Sequence, residues 1–276
     1  MKKILQHKYV KFIQGLVKNI LDHDVTGMAA QLAYFFLLSL FPLLLFVITL
    51  LPYTPLEQQD FLGMIESYAP AEIYNLIDQT LQEILSNRSG GLLSIGIVGT
   101  LWSASNGLNA LMRSLNRAYD VTEDRNFFIA RGLAVVLTVA MILVFIIALI
   151  LPVFGKQLGV LIFSTFGLSD VFLQIWTWIR WGITPLIIFI IFWIVFFFAP
   201  NMKITIRSAI PGALFSALGW IIVSFGFSQY VTQFGNYSAT YGSIGAVIIL
   251  MLWFYISGII IIIGGEINSY LSKSSS

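Results

Sequence analysis

Six long apolar stretches constrain the fold of this 276-residue chain more than any other feature. Each has about the 20 residues that a helix needs to cross the hydrocarbon core of a bilayer. Only 10% of the residues are charged, against about a quarter in water-soluble domains. The sequence therefore predicts an all-α, polytopic transmembrane bundle of about six spans, forming one membrane domain over residues 1–276. The predicted spans are residues 28–51, 91–112, 132–153, 175–199, 208–230 and 243–264.

Two segments outside the spans have amphipathic helical patterns. In residues 1–24, apolar pairs recur at helical spacing and the lysines lie mostly elsewhere. Such a helix either lies in the headgroup layer, with its lysines toward anionic lipid, or packs on the protein's own cytoplasmic face. Residues 52–90, the one long connection, predict an amphipathic helical outer segment between spans one and two, either as a lid or lying on the membrane.

Lysine and arginine are distributed unequally between the two sides of the predicted bundle. Twelve of them lie in the N-terminal segment, the second and fourth connections and the tail, whereas Arg88 and Lys156 alone lie in the connections on the other side. Cytoplasmic loops carry the excess of positive charge in membrane proteins. The pattern predicts that both termini are cytoplasmic.

Polar residues in the spans are candidates for a substrate cavity. Span two carries Asn106 and Asn109 among hydroxyl side chains, so we expect it to face other helices rather than lipid. Arg180 lies about five residues inside span four, among tryptophans. It is either an interfacial anchor or a cation in an outward-open cavity that holds a phosphate or a carboxylate.

Glu266, at the cytoplasmic end of span six, is the other candidate position. Arg113 and Arg117 lie on the same side and, being four residues apart, share a helix face. These charges predict either a Glu–Arg brace that closes the cytoplasmic ends or a gate or proton-coupled site.

Two further segments carry structural signals. The polar, uncharged residues 234–243 predict an outer loop or, less favoured, a segment that folds back at membrane depth. Small residues in span five predict close packing against another helix. They are Gly212, Ala213, Ser216, Ala217 and Gly219.

The sequence gives little support to an enzyme. It has no cysteine, no phosphate-binding glycine loop with Lys-Ser/Thr, and no serine in a nucleophile elbow. The Asp-His-Asp segment 22–24 could contact a metal together with Asp120, Glu123 and Asp124, but helix caps and solvated loops explain these residues better. We predict no catalytic residue, no metal and no cofactor.

Several motifs together carry a family resemblance. They are Ala29-Ala30-Gln31-Leu32-Ala33-Tyr34-Phe35 with Ser39-Leu40-Phe41-Pro42, Leu101-Trp102 through Asn116-Arg117-Ala118-Tyr119, and Tyr241-Gly242-Ser243-Ile244-Gly245 with Gly265-Glu266-Ile267-Asn268. The combination resembles the YihY/BrkB family of bacterial inner-membrane proteins over almost the whole chain. The resemblance implies a six-span protein of the cytoplasmic membrane, and the family has carried a ribonuclease BN label and a virulence-factor label. It adds preferred candidate positions: Gln31, Tyr34, Pro42, Asn109, Tyr241, Gly242 and Glu266.

Three functions remain open from the sequence. The favoured one is a transporter-like protein that moves a lipid or another amphipathic envelope component, passively or driven by an ion gradient. The second is a non-catalytic envelope scaffold or assembly factor. The third is a membrane enzyme such as a ribonuclease, which would need a basic, aromatic-bearing groove that the short cytoplasmic connections are ill suited to build. We expect membrane lipids as partners and no nucleic acid.

Overall fold

A computed structural model of the protein describes residues 2–50, 82, 90–141, 170–233 and 236–275. Apart from the single residue 82, these ranges form seven helices and no strand, so the all-helical prediction is confirmed for this part of the chain. Most of the predicted outer segment 52–90 lies outside the described residues. The helices are α1 (Lys2–Asp22), α2 (Val25–Leu50), α3 (Gly90–Ala118), α4 (Phe127–Met141), α5 (Asp170–Phe198), α6 (Ile210–Gln233) and α7 (Asn236–Ser275).

Two of the helices are long and apolar enough to cross a membrane. They contain Ile210–Tyr230 and Val247–Lys273, which overlap predicted spans five and six, although the second extends nine residues beyond the predicted end of span six. Three shorter apolar stretches, Val25–Ser39, Phe127–Met141 and Pro185–Phe198, lie in or beside predicted spans one, three and four. Helix α3, which contains predicted span two, is less apolar because it carries the buried Ser105, Ser114 and Asn116.

The loop predicted over residues 234–243 is wrong for residues 236–243, which form the first turns of α7. Asn236 is a favourable residue at a helix start, and no proline interrupts the segment. In a membrane the backbone N–H and C=O groups must bond within the protein, so continuing the helix satisfies them where an irregular loop would not.

Helix α7 packs against α1, α2, α3 and α6, and α6 also packs against α5. At the crossing of α6 and α7 the backbones are in close contact, because a side-chain carbon added to Gly212 would collide with the carbonyl oxygen of Gly264. Ala213 and Ser216 are fully buried beside it. The close packing predicted from the small residues of span five is therefore present.

The interior of the described bundle is filled by apolar side chains. Leu32, Met112, Leu115, Phe196 and Ile262 are fully buried. Large apolar residues on the outer helix faces are exposed, as expected for surfaces that contact lipid tails. Examples are Leu186, Leu218, Ile222 and Phe225.

Helix α1 uses one face for packing and leaves another exposed. The ring of Phe12 meets Tyr270 of α7 edge-to-face at 5.1 Å, and the Tyr270 hydroxyl donates to the Lys11 carbonyl oxygen at 3.3 Å. The structure thus places α1 on the protein itself, the second of the two predicted arrangements. An apolar row remains exposed on α1, so contact of that row with the headgroup layer stays a prediction. The row is Val10, Ile13, Val17 and Leu21.

Four segments meet at one end of the bundle, which we call the charged end: residues 22–24, 119–126, 199–209 and 264–273. Asn201 Nδ2 donates a hydrogen bond to the Thr122 carbonyl oxygen at 2.8 Å. Arg117, at the end of α3 just before the second segment, donates through Nη2 to the Asp22 carbonyl oxygen at 3.3 Å. The charge count predicts that these same segments are cytoplasmic.

Candidate functional site

A chain of ionisable side chains crosses the charged end. His23 Nδ1 lies 2.6 Å from Oε1 of Glu266, and His23 Nε2 lies 3.4 Å from Oδ1 of Asp120. The other oxygen of Asp120 accepts a hydrogen bond from the Lys273 ammonium group. We call these four residues the ionic chain. It links the α1–α2 turn to the end of α3 and to two positions on α7.

Glu266 is the most deeply placed member of the ionic chain. Its side chain is fully buried, and its Oε2 has no hydrogen-bond partner among the described residues. The preceding Gly264 and Gly265 let α7 approach its neighbours closely, since a side chain on Gly265 would meet Leu115 of α3. Burying a carboxylate is costly unless it is paired, and His23 supplies the partner for one oxygen.

Backbone geometry positions Asp120 for its role. Its φ of 55° lies in the left-handed region, which residues other than glycine rarely adopt. Asp120 N donates to the Arg117 carbonyl oxygen and Val121 N to that of Asn116, the pair of bonds that closes a helix in a Schellman motif. The hydrogen bond and charge of Lys273, with the nearby His23, hold the pKa of Asp120 below its usual value against the opposing effect of burial.

Asp24 has the same unusual backbone conformation at the α1–α2 turn, with φ of 53°. Its Oδ1 accepts a hydrogen bond from the Gly27 backbone N–H at 3.2 Å, so it caps the start of α2. This contact agrees with the expectation that caps explain the acids of segment 22–24. No group of three or more His, Asp or Glu in the described ranges is placed to hold a metal ion.

A second polar cluster joins the α3–α4 loop to the α5–α6 loop. Asn116 donates to Glu123 Oε2 at 2.7 Å and accepts from the Asn201 backbone N–H, also at 2.7 Å. Arg125 donates to Asn201 Oδ1 at 3.0 Å and to the Ala199 carbonyl oxygen at 3.1 Å. Every member thus has a partner from another element, which fixes the two loops together.

The predicted Glu266–arginine brace is replaced by the His23 contact. Arg113 and Arg117 instead line an open cleft of about 440 Å³ at the charged end. The other residues that line this cleft are Asn116, Asp120, Val121, Thr122 and Glu123. Two arginines and two acids line the cleft, so the formal charges of its lining cancel.

The cavity candidates whose side chains the structure describes lie on α2 and α3. The side chains of Gln31 and Tyr34 are exposed on α2, whereas Asn109 on α3 is half-buried. Asn106 accepts a hydrogen bond from Arg131 Nη1 at 2.6 Å. The backbones of Arg180 and Tyr241 lie in α5 and α7, and their side chains are outside the described part.

Sequence reasoning missed the partners of Glu266. The sequence pattern indicates His23 and Asp120 only as caps, loop residues or metal ligands, and Lys273 only as one of the twelve cations on the predicted cytoplasmic side. The sequence did carry one usable signal: His23 is one of only two histidines in the chain and falls at the junction of a basic helix and an apolar span.

Comparisons with known proteins agree with this architecture. The family model described as virulence factor BrkB matches residues 16–276. The chain is 53% identical to the putative ribonuclease-like protein YfkH of Bacillus subtilis (strain 168) over 264 residues, which cover 96% of each chain. It is 31% identical to a UPF0761 membrane protein of Aliivibrio salmonicida (strain LFI1238), over 94% of this chain and 82% of the relative. No solved structure matches the chain. The chain is therefore a membrane protein that belongs to the virulence factor BrkB family.

Proposed function

We propose that the chain crosses the bacterial cytoplasmic membrane six times, with both termini in the cytoplasm, and moves a lipid or another amphipathic envelope component. The observation that carries the proposal is the buried Glu266 carboxyl group in the ionic chain. A buried ionisable side chain is costly, and at the end of a membrane bundle it is a candidate for an ion or proton gate.

The ionic chain is well placed to act as a gate at the charged end. Glu266 and Lys273 belong to α7, whereas their partners His23 and Asp120 belong to the α1–α2 turn and the end of α3. A displacement of α7 relative to α2 and α3 would break these contacts together. A buried pair of ionisable side chains is weak evidence for a stabilising role, because apolar packing of the same volume often stabilises as much, so a gating role accounts for it better than a purely stabilising one.

Vesicles provide the direct test. The purified chain is placed in liposomes that contain a phospholipid with a fluorescent headgroup, and a membrane-impermeant reductant is added outside. We expect signal loss beyond that of protein-free vesicles, because inner-leaflet lipid reaches the outside through the protein. Glu266→Gln should change the rate of this loss, and Arg180→Ala tests whether the predicted outer cation contributes.

Asp124→Asn is the matched control, since it also converts a carboxylate to an amide at the charged end but lies outside the ionic chain. Its rate should equal that of the wild type. Signal loss that stays at the protein-free level, with and without an imposed proton gradient, would reject lipid movement.

An envelope scaffold is the second candidate, and the filled interior of the described bundle favours it. A packed core of Leu32, Met112, Leu115 and Phe196 leaves no passage in that region. A scaffold would retain its envelope phenotype when Glu266 is replaced by glutamine, whereas a gated transporter would not. Complementation of a deletion strain by Glu266→Gln, at matched protein level, separates the two.

A ribonuclease is the third candidate, prompted by the name of the Bacillus subtilis relative. The acids that such chemistry would use already have structural partners: Asp24 caps α2, Asp120 contacts Lys273, and Glu123 accepts from Asn116. Turnover of RNA by the purified chain that is abolished by Asp120→Asn or Glu123→Gln would favour this candidate over transport.

A further inference from the structure

Arg131, in the second turn of α4, reaches back to the middle of α3. Its Nη1 donates to Asn106 Oδ1 at 2.6 Å and its Nη2 to the Trp102 carbonyl oxygen at 3.1 Å. Its guanidinium carbon lies 4.2 Å from the centroid of the Trp102 ring, within cation–π range. Among the described residues no carboxylate pairs with Arg131, so this cation has no counter-charge there.

The contact point lies far from both ends of α3. Asn106 follows the first residue of this helix by 16 positions and precedes the last by 12, which correspond to about 24 Å and 18 Å at the helical rise per residue. If α3 spans the bilayer, the guanidinium group is held at membrane depth. A cation at such depth is energetically costly and calls for a partner.

The site is open to the side and has spare donors. Trp102 is 61% exposed, Val98 one turn before it on α3 is also exposed, and Val136 is exposed on α4. A guanidinium group has five N–H donors, of which the contacts to Asn106 and Trp102 use two. The Nε atom of Arg131 is buried without a hydrogen-bond partner in the described part.

We infer that Arg131, Trp102 and Asn106 bind the phosphate of an anionic phospholipid that enters sideways between α3 and α4. The planar guanidinium group matches two phosphate oxygens at once. Asn106 and Trp102 fix its orientation, and the lipid tails lie along Val98 and Val136. This site specifies the substrate class of the proposed function and in that respect rests on it, although binding is measured without any transport.

Ligand-dependent stability measures the binding. The purified full chain in neutral detergent is titrated with phosphatidylglycerol, and its melting temperature is recorded. Phosphatidylcholine and inorganic phosphate are tested in parallel. We expect phosphatidylglycerol alone to raise the melting temperature. Arg131→Gln should raise the half-saturating concentration about tenfold, because charge-assisted bidentate bonds are lost, and Arg131→Lys should have an intermediate effect.

Arg113→Gln is the matched control, because it also removes one arginine of this region but lies seven residues from Asn106, about 10 Å toward the charged end. Its half-saturating concentration should stay at the wild-type value. An unchanged lipid response in Arg131→Gln, or an equal shift in Arg113→Gln, would overturn the site. An equal rise in melting temperature with inorganic phosphate would show that the site binds phosphate in general and not specifically the headgroup of a lipid.

Arg131 also holds α4 against α3, so its variants could fail to fold. A photoactivatable phosphatidylglycerol analogue cross-linked to the wild-type chain avoids this difficulty. Cross-linked peptides within residues 98–106 or 127–136 support the site, and their absence overturns it. Lipid binding at this site without lipid movement in vesicles would support the site and reject transport. Lipid movement that Arg131→Gln leaves unchanged would support transport and reject this site as part of it.

Discussion

His23 and Glu266 are separated by 243 positions in the sequence, yet Nδ1 of the first lies 2.6 Å from Oε1 of the second. Removing His23 leaves the buried Glu266 carboxyl group without this hydrogen bond, at a cost of about 1–3 kcal/mol. We therefore expect His23→Ala to lower thermal stability in detergent strongly, and Glu266→Gln to lower it less, since the amide keeps an acceptor. The double variant should lose less stability than the sum of the losses in the two single variants. Strictly additive losses would contradict the pairing.

The crossing of α6 and α7 provides a steric prediction. An added methyl group at Gly212 would collide with the carbonyl oxygen of Gly264 and with Asn268. Gly212→Ala should therefore destabilise the chain by about 1–3 kcal/mol, the usual range for overpacking. Gly226 on the same helix has no atom within 4 Å of its added carbon, so Gly226→Ala should be neutral or stabilising by up to about 1 kcal/mol. The thermal unfolding of both variants, measured under the same conditions, tests this prediction. Equal losses of stability in the two variants would contradict the close crossing.

Asn268 satisfies two buried backbone groups at the start of α6. Its Oδ1 accepts from the Gly212 N–H at 2.6 Å, and its Nδ2 donates to the Ala209 carbonyl oxygen at 3.2 Å. Asn268→Ala leaves both groups unpaired, and each buried unpaired group costs about 1–3 kcal/mol. Ser257→Ala, in the same helix, removes a buried hydroxyl that has no described partner and should be nearly neutral. A loss in the control that matches the loss in Asn268→Ala would show that truncation alone, rather than the hydrogen bonds, is responsible.

The Asp120–Lys273 contact has a definite pH dependence. Folding lowers the pKa of Asp120, so the contact stabilises the fold above the usual aspartate pKa of 3.8 and loses this effect as pH falls through the lowered value. Both side chains are at least half exposed, and such pairs contribute about 0.2–1 kcal/mol. The melting temperatures of the wild type and Asp120→Asn should differ at pH 7 and converge in acid. A difference that persists unchanged at the lowest pH would argue against the ion pair.

Local and periodic features of this fold could be predicted from the sequence. The amphipathic spacing over residues 1–24 gave α1, which spans Lys2–Asp22, because helical periodicity is a property of neighbouring residues. The small residues around Gly212 predicted a close helix crossing for the same reason, since backbone approach requires small side chains. Asp24 as a cap follows from its position before an apolar helix.

The candidate site was less predictable because its contacts are distant in sequence. The sequence marks Glu266 as a special position, but it predicts two arginines of the same side, Arg113 and Arg117, as partners of this carboxylate. The left-handed conformation of Asp120 turns its side chain toward Lys273 and His23, and spacing alone does not reveal such a turn. The long reach of Arg131 to Asn106 depends on where the α3–α4 loop ends, which the sequence leaves undetermined.

The position of Glu266 near the end of α7 also has a consequence for biogenesis. During synthesis the α1–α2 turn emerges first, and Glu266 follows it by 243 residues. Before Glu266 is synthesised, His23 cannot contact it. Asp120 likewise cannot contact Lys273, which is synthesised 153 residues later. The ionic chain is therefore assembled only after α7 has entered the membrane, so that insertion of this helix is the step that locks the earlier helices at the charged end.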